Sequence, residues 1–517
     1  MNRKFQCAMV FGDNMVLQRE KPVSVFGTGE DGKEVTVEFQ GQKVSAVIKE
    51  GKWKAILEPL MVCEGEELKV FCEDEEIRFQ NVSVGEVWLA GGQSNMEFYF
   101  RYDADHDAVI ENCDNPQIRF FDYPEISYEG QLEARDYSKF GFWRSANKEN
   151  MDYFSAVGYY FAAELQKKYQ CPIGIVGCNW GGTTACSWMD PSYLEDNEGK
   201  VWLEDYEKAV ENLDLEKYIE AFEKNPSNYH HDPFGTPDSE GIMYGYSREG
   251  MKKMIAHLME VTKGNIWKVF RPLIGPRYEC RPGGLYETML KKLVPYAVRG
   301  VIWYQGEADV THPEIYDTVF SALIRCWRDL WQEELPFLFV QLTAFREWLP
   351  GCTGEKYPII REKQEKVAET VPNTWMVSIM DVGMEWDIHP KKKAPVGKRL
   401  ALVAEGKVYG EDILCEAPAC DRMEVSDGEV ILYFEHTGTG LSLKGEKINA
   451  LELLSAGEKI EEYEATVLED RIMIKSDCIR AEKGAEIRFA VCDYCEVNLY
   501  NSADFPAKPF KMSVTAE

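Results

Sequence analysis

Five short apolar runs recur along this chain, each ending abruptly at glycine or at a polar cluster: EVWLA, IGIVG, GVIWY, FLFVQL and WMVSIMD. Runs this short, without polar alternation, read as strands buried on both faces. Between and after them lie amphipathic stretches: FSAVGYYFAAELQKKY (154–169), SALIRCWRDLWQ, IIREKQEKVAETV, and a last helix that Pro395 opens and that runs through Leu402. The first of these has a serine near its start and lysines at its end, as helix capping requires. Strand and helix alternating with short joins can satisfy their backbone and bury their apolar faces in few ways. The expected fold is therefore α/β, a mainly parallel sheet with helices on both faces.

The flanks have another texture. Residues 1–82 carry VTVEF, VSAVI, WKAIL, LKVFC and IRF at intervals of roughly ten residues, and 408–517 carry EVILYFEH, ALELLS, RIMIKS and AEIRFAV. Both read as β-sandwich regions. Between 191 and 272 the rhythm breaks into a polar stretch with helical segments such as LEKYIEAFEK and MKKMIAHLMEVTK. The expected division is an N-terminal β domain over 1–82 and a catalytic domain over 83–190 and 273–407. A helical insertion fills 191–272, and a C-terminal β domain covers 408–517. A chain of 517 residues has the length for several cores.

Charge narrows the function. A net charge of −30 lacks the cationic surface that nucleic acid or an anionic membrane demands. No apolar run reaches bilayer length, and MNRKFQCAMVFGDN is too short in its apolar part for a secretory leader. Fifteen cysteines at irregular spacing suit reduced thiols, so a cytoplasmic address is expected. Cys492 and Cys495 form one CxxC, which without a second pair does not make a zinc site. No metal or organic cofactor is expected.

The residues able to do chemistry cluster at the ends of the strands. EVWLA delivers GGQSNM: Gly91 and Gly92 allow a sharp turn, and Ser94 follows at the sheet edge as a candidate nucleophile. Of the seven histidines (106, 230, 231, 257, 312, 389 and 436), His389 in MEWDIHP follows a strand and precedes a helix, which carries it to that same kind of edge. Asp387, two residues earlier, offers an orienting carboxylate. GVIWY delivers Gln305, a neutral amide suited to stabilising an oxyanion, and Glu307, able to brace the nucleophile loop or the base. IGIVG delivers NWGGT, where Gly181 and Gly182 can present a backbone N–H.

These blocks, in this order, resemble those of SGNH-type hydrolases, specifically the sialate O-acetylesterase group. FGDNMVLQRE, PGGLY, FEHTGTGL and NLYNSADFPAKPF extend the likeness over nearly the whole chain except 191–272. The resemblance implies that Ser94 is the nucleophile and His389 the general base. It further implies that Gly181 or Gly182 and Gln305 join the Ser94 N–H in the oxyanion hole. Many SGNH enzymes carry Asp three residues before the histidine, where this chain has Trp386; either Asp387 or a backbone carbonyl is left to orient His389. Gln305 stands where other SGNH enzymes have Asn. Gln93 supports the nucleophile loop, and Trp180, Arg277 and Arg281 are candidate substrate contacts.

The expected activity is removal of O-acetyl groups from a carbohydrate by two-step acyl transfer, with an O-acetylated mono- or oligosaccharide as partner. The sugar is a sialate on the family name, or alternatively a plant-type oligosaccharide from xylan, xyloglucan or mannan. A sugar-binding protein on an inactive esterase scaffold is the reading from a different class, and intact Ser94, His389, Gln305 and Gly182 stand against it.

Overall fold

The structure is a computed structural model. It describes residues 5–134, 137–138, 140–224, 248–261, 263–264, 273–455, 457–480, 482 and 484–514. Two compact units divide the chain: Met1–Ala308 with Asp317–Phe337, and Asp309–Tyr316 with Leu338–Glu517.

The first unit begins with two antiparallel arrays. Val23–Thr28 pairs with Gln6–Cys7 and Lys52–Leu57; Glu34–Phe39 pairs with Gln42–Val47 and Cys63–Cys72. In KWKAIL every second side chain is buried, the signature of a sheet wet on one face. The break in texture read at residues 82–84 is not a break in the backbone. A single strand, Glu75–Gly92, runs through it, half-exposed at first and then buried at every residue from Val82 on. Its first part pairs with Cys63–Cys72 and its last part lies at the centre of the next sheet. Hydropathy changes there because burial changes from one face to two, not because the element ends.

In that next sheet Glu75–Gly92 lies between Ile173–Asn179 and Gly300–Tyr304, parallel to both. Asn115–Asp122 adds in parallel outside Ile173–Asn179, and Trp143–Ala146 closes that side antiparallel. The sheet is mixed rather than purely parallel. Successive side chains of a strand face opposite ways, so Trp88 and Gly91 report opposite faces. The Trp88 ring meets Phe161 of helix Ala156–Tyr169 at 5.1 Å between centroids, edge-on. A Cβ on Gly91 would lie 3.0 Å from Trp327 of helix Tyr316–Trp331. Helices thus cover both faces. Ser155 caps the first of them, its Oγ accepting from the Gly158 N–H at 3.0 Å.

Six residues before Gly92 on the central strand, the fully buried Glu86 accepts from Arg19 Nε at 2.6 Å and from Arg299 Nε and Nη2 at 2.7 and 2.8 Å. Burial by itself would raise its carboxyl pKa, but the two guanidinium groups hold it below the ordinary value. Glu86→Ala is expected to cost about 3–5 kcal/mol, because it strands two cations against the sheet. Urea unfolding of the variant checks this. The sign with pH follows: the contribution is full above the unfolded glutamate pKa and is lost as pH falls through the lower folded value.

Within 191–272 the described residues form helices Lys200–Val210, Leu215–Lys224 and Arg248–Val261. Residues 225–247 and 265–272 lie outside the described residues, and His230 and His231 with them. Tyr218 and Phe222 are buried, and the Tyr218 hydroxyl accepts from the Arg277 N–H at 3.1 Å.

Helices Tyr357–Thr370 and Ala394–Val403 and strand Thr374–Val377 belong to the same compact unit as the C-terminal β region. The reason is a shared core. Val430, Leu432, Ile472 and Ile474 from one four-stranded sheet and Leu453, Ile487 and Phe489 from another bury together, and Ala344 and Met380 enter the same cluster.

Candidate active site

Two backbone constraints place Ser94. Gly92 has φ +132°, and a Cβ there would stand 2.2 Å from the Tyr304 carbonyl oxygen. Only glycine lets the strand approach its neighbour so closely and turn. The Gln93 N–H then donates to the Tyr304 carbonyl at 3.0 Å, and Ser94 opens the short helix Ser94–Glu97. At the start of a helix the N–H groups have no acceptor inside it.

The flanking residues lock this turn to the QGE loop. Gln93 Oε1 accepts from the backbone N–H groups of Ala308 at 3.2 Å and Gly306 at 3.4 Å. Asn95 Nδ2 donates to Glu307 Oε1 at 2.6 Å. Gln93, Ser94, Asn95 and Glu307 are all buried, so these bonds form in a medium where an unpaired partner would be costly. Of the two roles open to Glu307 in the sequence, the observed contact is to the nucleophile loop.

The NWGGT loop approaches from Ile173–Asn179. The Trp180 N–H donates to the Gly92 carbonyl at 3.1 Å, and a Cβ on Gly181 would sit 3.2 Å from the Ser94 Cβ. The two glycines then part company. The Gly181 N–H donates to Glu97 Oε2 at 2.7 Å and is therefore spent. Gly182 has φ +76°, open space where its Cβ would be, and an N–H that meets no acceptor among the described residues. Gln305, fully buried, donates from Nε2 to the Thr183 carbonyl at 3.1 Å, so one of its two amide hydrogens steadies this loop. Trp180 is itself buried.

Carboxyl groups gather around this loop. Glu97, Glu125 and Glu279 are half-buried and Asp122 is buried. Burial, and then the negative charges of Glu97, Asp122 and Glu279, push Glu125 well above the usual carboxylate range. Burial likewise raises Asp122 and Glu279 to about 7. The sequence reading missed this group, because Glu97, Asp122, Glu125 and Glu279 lie in four separate segments. Only Glu97, three residues after the serine, carried a local signal.

The two candidate arginines are engaged within the fold. Arg277 forms an ion pair with Glu223 and lies over the Tyr128 ring at 4.2 Å. Arg281 donates from Nε to the Pro276 carbonyl at 2.9 Å and from Nη2 to the Ser127 carbonyl at 3.0 Å.

In the second unit His389 is 2% exposed, its ring edge-on to Trp348 at 5.2 Å. Asp387 Oδ1 accepts from the backbone N–H of His389 at 2.8 Å, whereas His389 Nδ1 stands 3.6 Å from the same oxygen, beyond hydrogen-bond reach. Lys391 Nζ binds the other carboxylate oxygen at 3.0 Å. Asp387 therefore shapes the loop more directly than it holds the ring. Burial pushes the His389 imidazole down to about 4, against the pull of Asp387. His106, by contrast, has both ring nitrogens engaged at 2.9 Å, by Asp107 and Asp152.

A family model described as carbohydrate esterase, sialic acid-specific acetylesterase, matches residues 273–404, which include Gln305, Glu307, Asp387 and His389. The chain is 27% identical to human sialate O-acetylesterase over 463 residues, covering 81% of this chain and 74% of that protein. It is 26% identical to the Pongo abelii sialate O-acetylesterase, covering 99% and 93%. Among solved structures it is similar to a carbohydrate acetylesterase from Xanthomonas citri, with TM-score 0.74, 27% identity and coverage of 98% and 99%. The resemblance read from the motifs and the ester-hydrolase class are borne out.

Proposed function

We infer that this chain, a relative of the sialate O-acetylesterases, is an esterase that removes O-acetyl groups from carbohydrates and does so through Ser94 on an SGNH-type scaffold. The observation that carries the reading is the serine turn beside a loop with an unused N–H. Ser94 stands at the end of a buried strand, Gly181 abuts it, and the Gly182 N–H meets no acceptor among the described residues. Such a donor, held in place before the substrate arrives, stabilises the oxyanion that forms when a hydroxyl adds to an ester carbonyl.

The steps follow. Ser94 Oγ attacks the acetyl carbonyl carbon while His389 accepts its proton; the C–O bond to the sugar breaks, and the sugar hydroxyl leaves with that proton. Water, giving a proton to His389, then attacks the acetyl-enzyme; the bond to Ser94 Oγ breaks, the serine oxygen takes that proton back, and acetate is released. Gly182, Ser94 and Gln305 supply oxyanion donors, while Gln93, Asn95 and Glu307 hold the nucleophile turn. A cytoplasmic address belongs to the same proposal; fifteen free cysteines accord with a reducing compartment.

Within this activity the charges favour an uncharged sugar over a sialate. Arg277 and Arg281, the expected partners of a substrate carboxylate, are bound to Glu223 and to backbone carbonyls, and the proton-retaining acids Glu125, Asp122 and Glu279 put no cation in their place. Acetate release should be compared at pH 7 between neutral acetylated oligosaccharides and O-acetylated sialic acid. A preference of about tenfold or more in kcat/KM for the neutral substrates is expected. Equal or better turnover of the sialate contradicts the charge argument and leaves the esterase reading standing; no acetate from any sugar contradicts both.

A further inference from the structure

The CxxC in the C-terminal unit is absorbed by no part of the esterase reading, and its surroundings are unusual. Arg361, on helix Tyr357–Thr370, is 1% exposed, and its guanidinium reaches no carboxylate among the described residues. Its donors go to the Tyr357 carbonyl at 3.4 Å, to Met380 Sδ at 3.1 Å and to the Cys492 carbonyl. The nearby Glu365 is paired with Lys508 at 3.2 Å instead. A buried cation without an anion is costly, so a negative group nearby is strongly favoured.

The sulfurs of Cys492 and Cys495 are the groups placed to supply it. Both residues are half-buried rather than sealed, and the Cys492 thiol donates to the Tyr494 carbonyl at 3.4 Å. The turn that carries them is fixed: the Asp493 carbonyl accepts from the Phe345 N–H at 2.8 Å, and Asp493 Oδ1 accepts from the Tyr494 N–H at 2.6 Å. Cys495 as donor, followed by the charge of Arg361, brings Cys492 down to about 7 despite its burial. Burial takes other thiols the opposite way, as for Cys326 and Cys420, each raised to about 12.

We propose that Cys492 and Cys495 are a reactive dithiol, a modification site at which Cys492 is the attacking sulfur and Cys495 the resolving one, closing to a disulfide by exchange with a low-molecular-weight disulfide. The Cys492 thiolate attacks one sulfur of RSSR, so that a Cys492–SR bond forms as the RS–SR bond breaks and RS⁻ leaves. Cys495 then gives up its proton, attacks the Cys492 sulfur and expels the second RS⁻, which takes that proton. Two protein sulfurs are oxidised by two electrons in all, and RSSR is reduced to RS⁻ and RSH.

The test uses the reduced full-length protein. Limiting iodoacetamide is applied over about pH 5.5 to 9, and labelling at each cysteine is read by peptide mass spectrometry. The exposed Cys478 serves as the internal reference. Cys492 should label about fivefold faster than Cys478 near pH 6.5, with its midpoint near neutrality. Cys495→Ala, which removes the donor, should move that midpoint upward. Glutathione disulfide, added to unlabelled protein, should remove one hydrogen from each of the two cysteines and link them. A Cys492 midpoint at or above that of Cys478 overturns the proposal, as does recovery of both thiols unlinked after glutathione disulfide.

Discussion

Ser94→Ala is expected to lower kcat/KM for acetate release from an acetylated sugar or a nitrophenyl ester by about five orders of magnitude, near 7 kcal/mol of transition-state stabilisation. The loss is this large because no neighbour can substitute. Gln93 Oε1 accepts from the backbone N–H groups of Gly306 and Ala308, and Asn95 donates to Glu307. Both amides are therefore occupied, and neither is a nucleophile. The fold should persist, since Gly92 and the Gln93 and Asn95 bonds hold the turn. Circular dichroism should therefore be unchanged while stopped acetate assays fall to the level of oxyanion stabilisation alone. Retained turnover in a contaminant-free preparation contradicts the assignment.

His389→Ala is expected to cost about four to six orders of magnitude, and the double variant Ser94→Ala/His389→Ala about as much as either alone, since two groups that act in one step fail together. Additive losses would mean that the two residues serve separate steps. Asp387→Asn should be milder, because this carboxylate is bonded to the His389 backbone at 2.8 Å while the ring nitrogen lies at 3.6 Å. The pH profile carries a further sign. The neutral imidazole is the active form, and burial favours it, lowering His389 to about 4. Activity should therefore persist as pH falls through the ordinary histidine range and be lost only near that lower value. Stability shifts with it. An unfolded chain takes up the proton below about 6.5 while the folded one does not, so the folded state loses stability across that window as pH falls.

Local signals carried most of what the sequence revealed. Ser155 as a cap, the period of helix Ala156–Tyr169 and the glycines before Ser94 each act over a few residues, so they are visible in one chain. Strands Asn115–Asp122 and Trp143–Ala146 were missed: each carries an arginine, and both sit at one side of the sheet where alternation is weak. The core that joins Ala344 and Met380 to the C-terminal sheets could not be read either, since it draws together residues as far apart as Ala344 and Phe489. At the site, Gly181 and Gly182 look equivalent in NWGGT. They differ only because Glu97, from another segment, takes one N–H and leaves the other. The carboxyl group around Glu125 and the bonds that engage Arg277 and Arg281 are likewise long-range.

The most direct test of the central claim is the residue that an ester-mimicking phosphonate modifies. The full-length protein is treated with a fluorophosphonate at pH 7, digested, and the adduct located by mass spectrometry. A single adduct on Ser94, forming in step with loss of acetate release and suppressed in His389→Ala, is the predicted result. An adduct on another serine, or undiminished acetate release with Ser94 fully labelled, would contradict it.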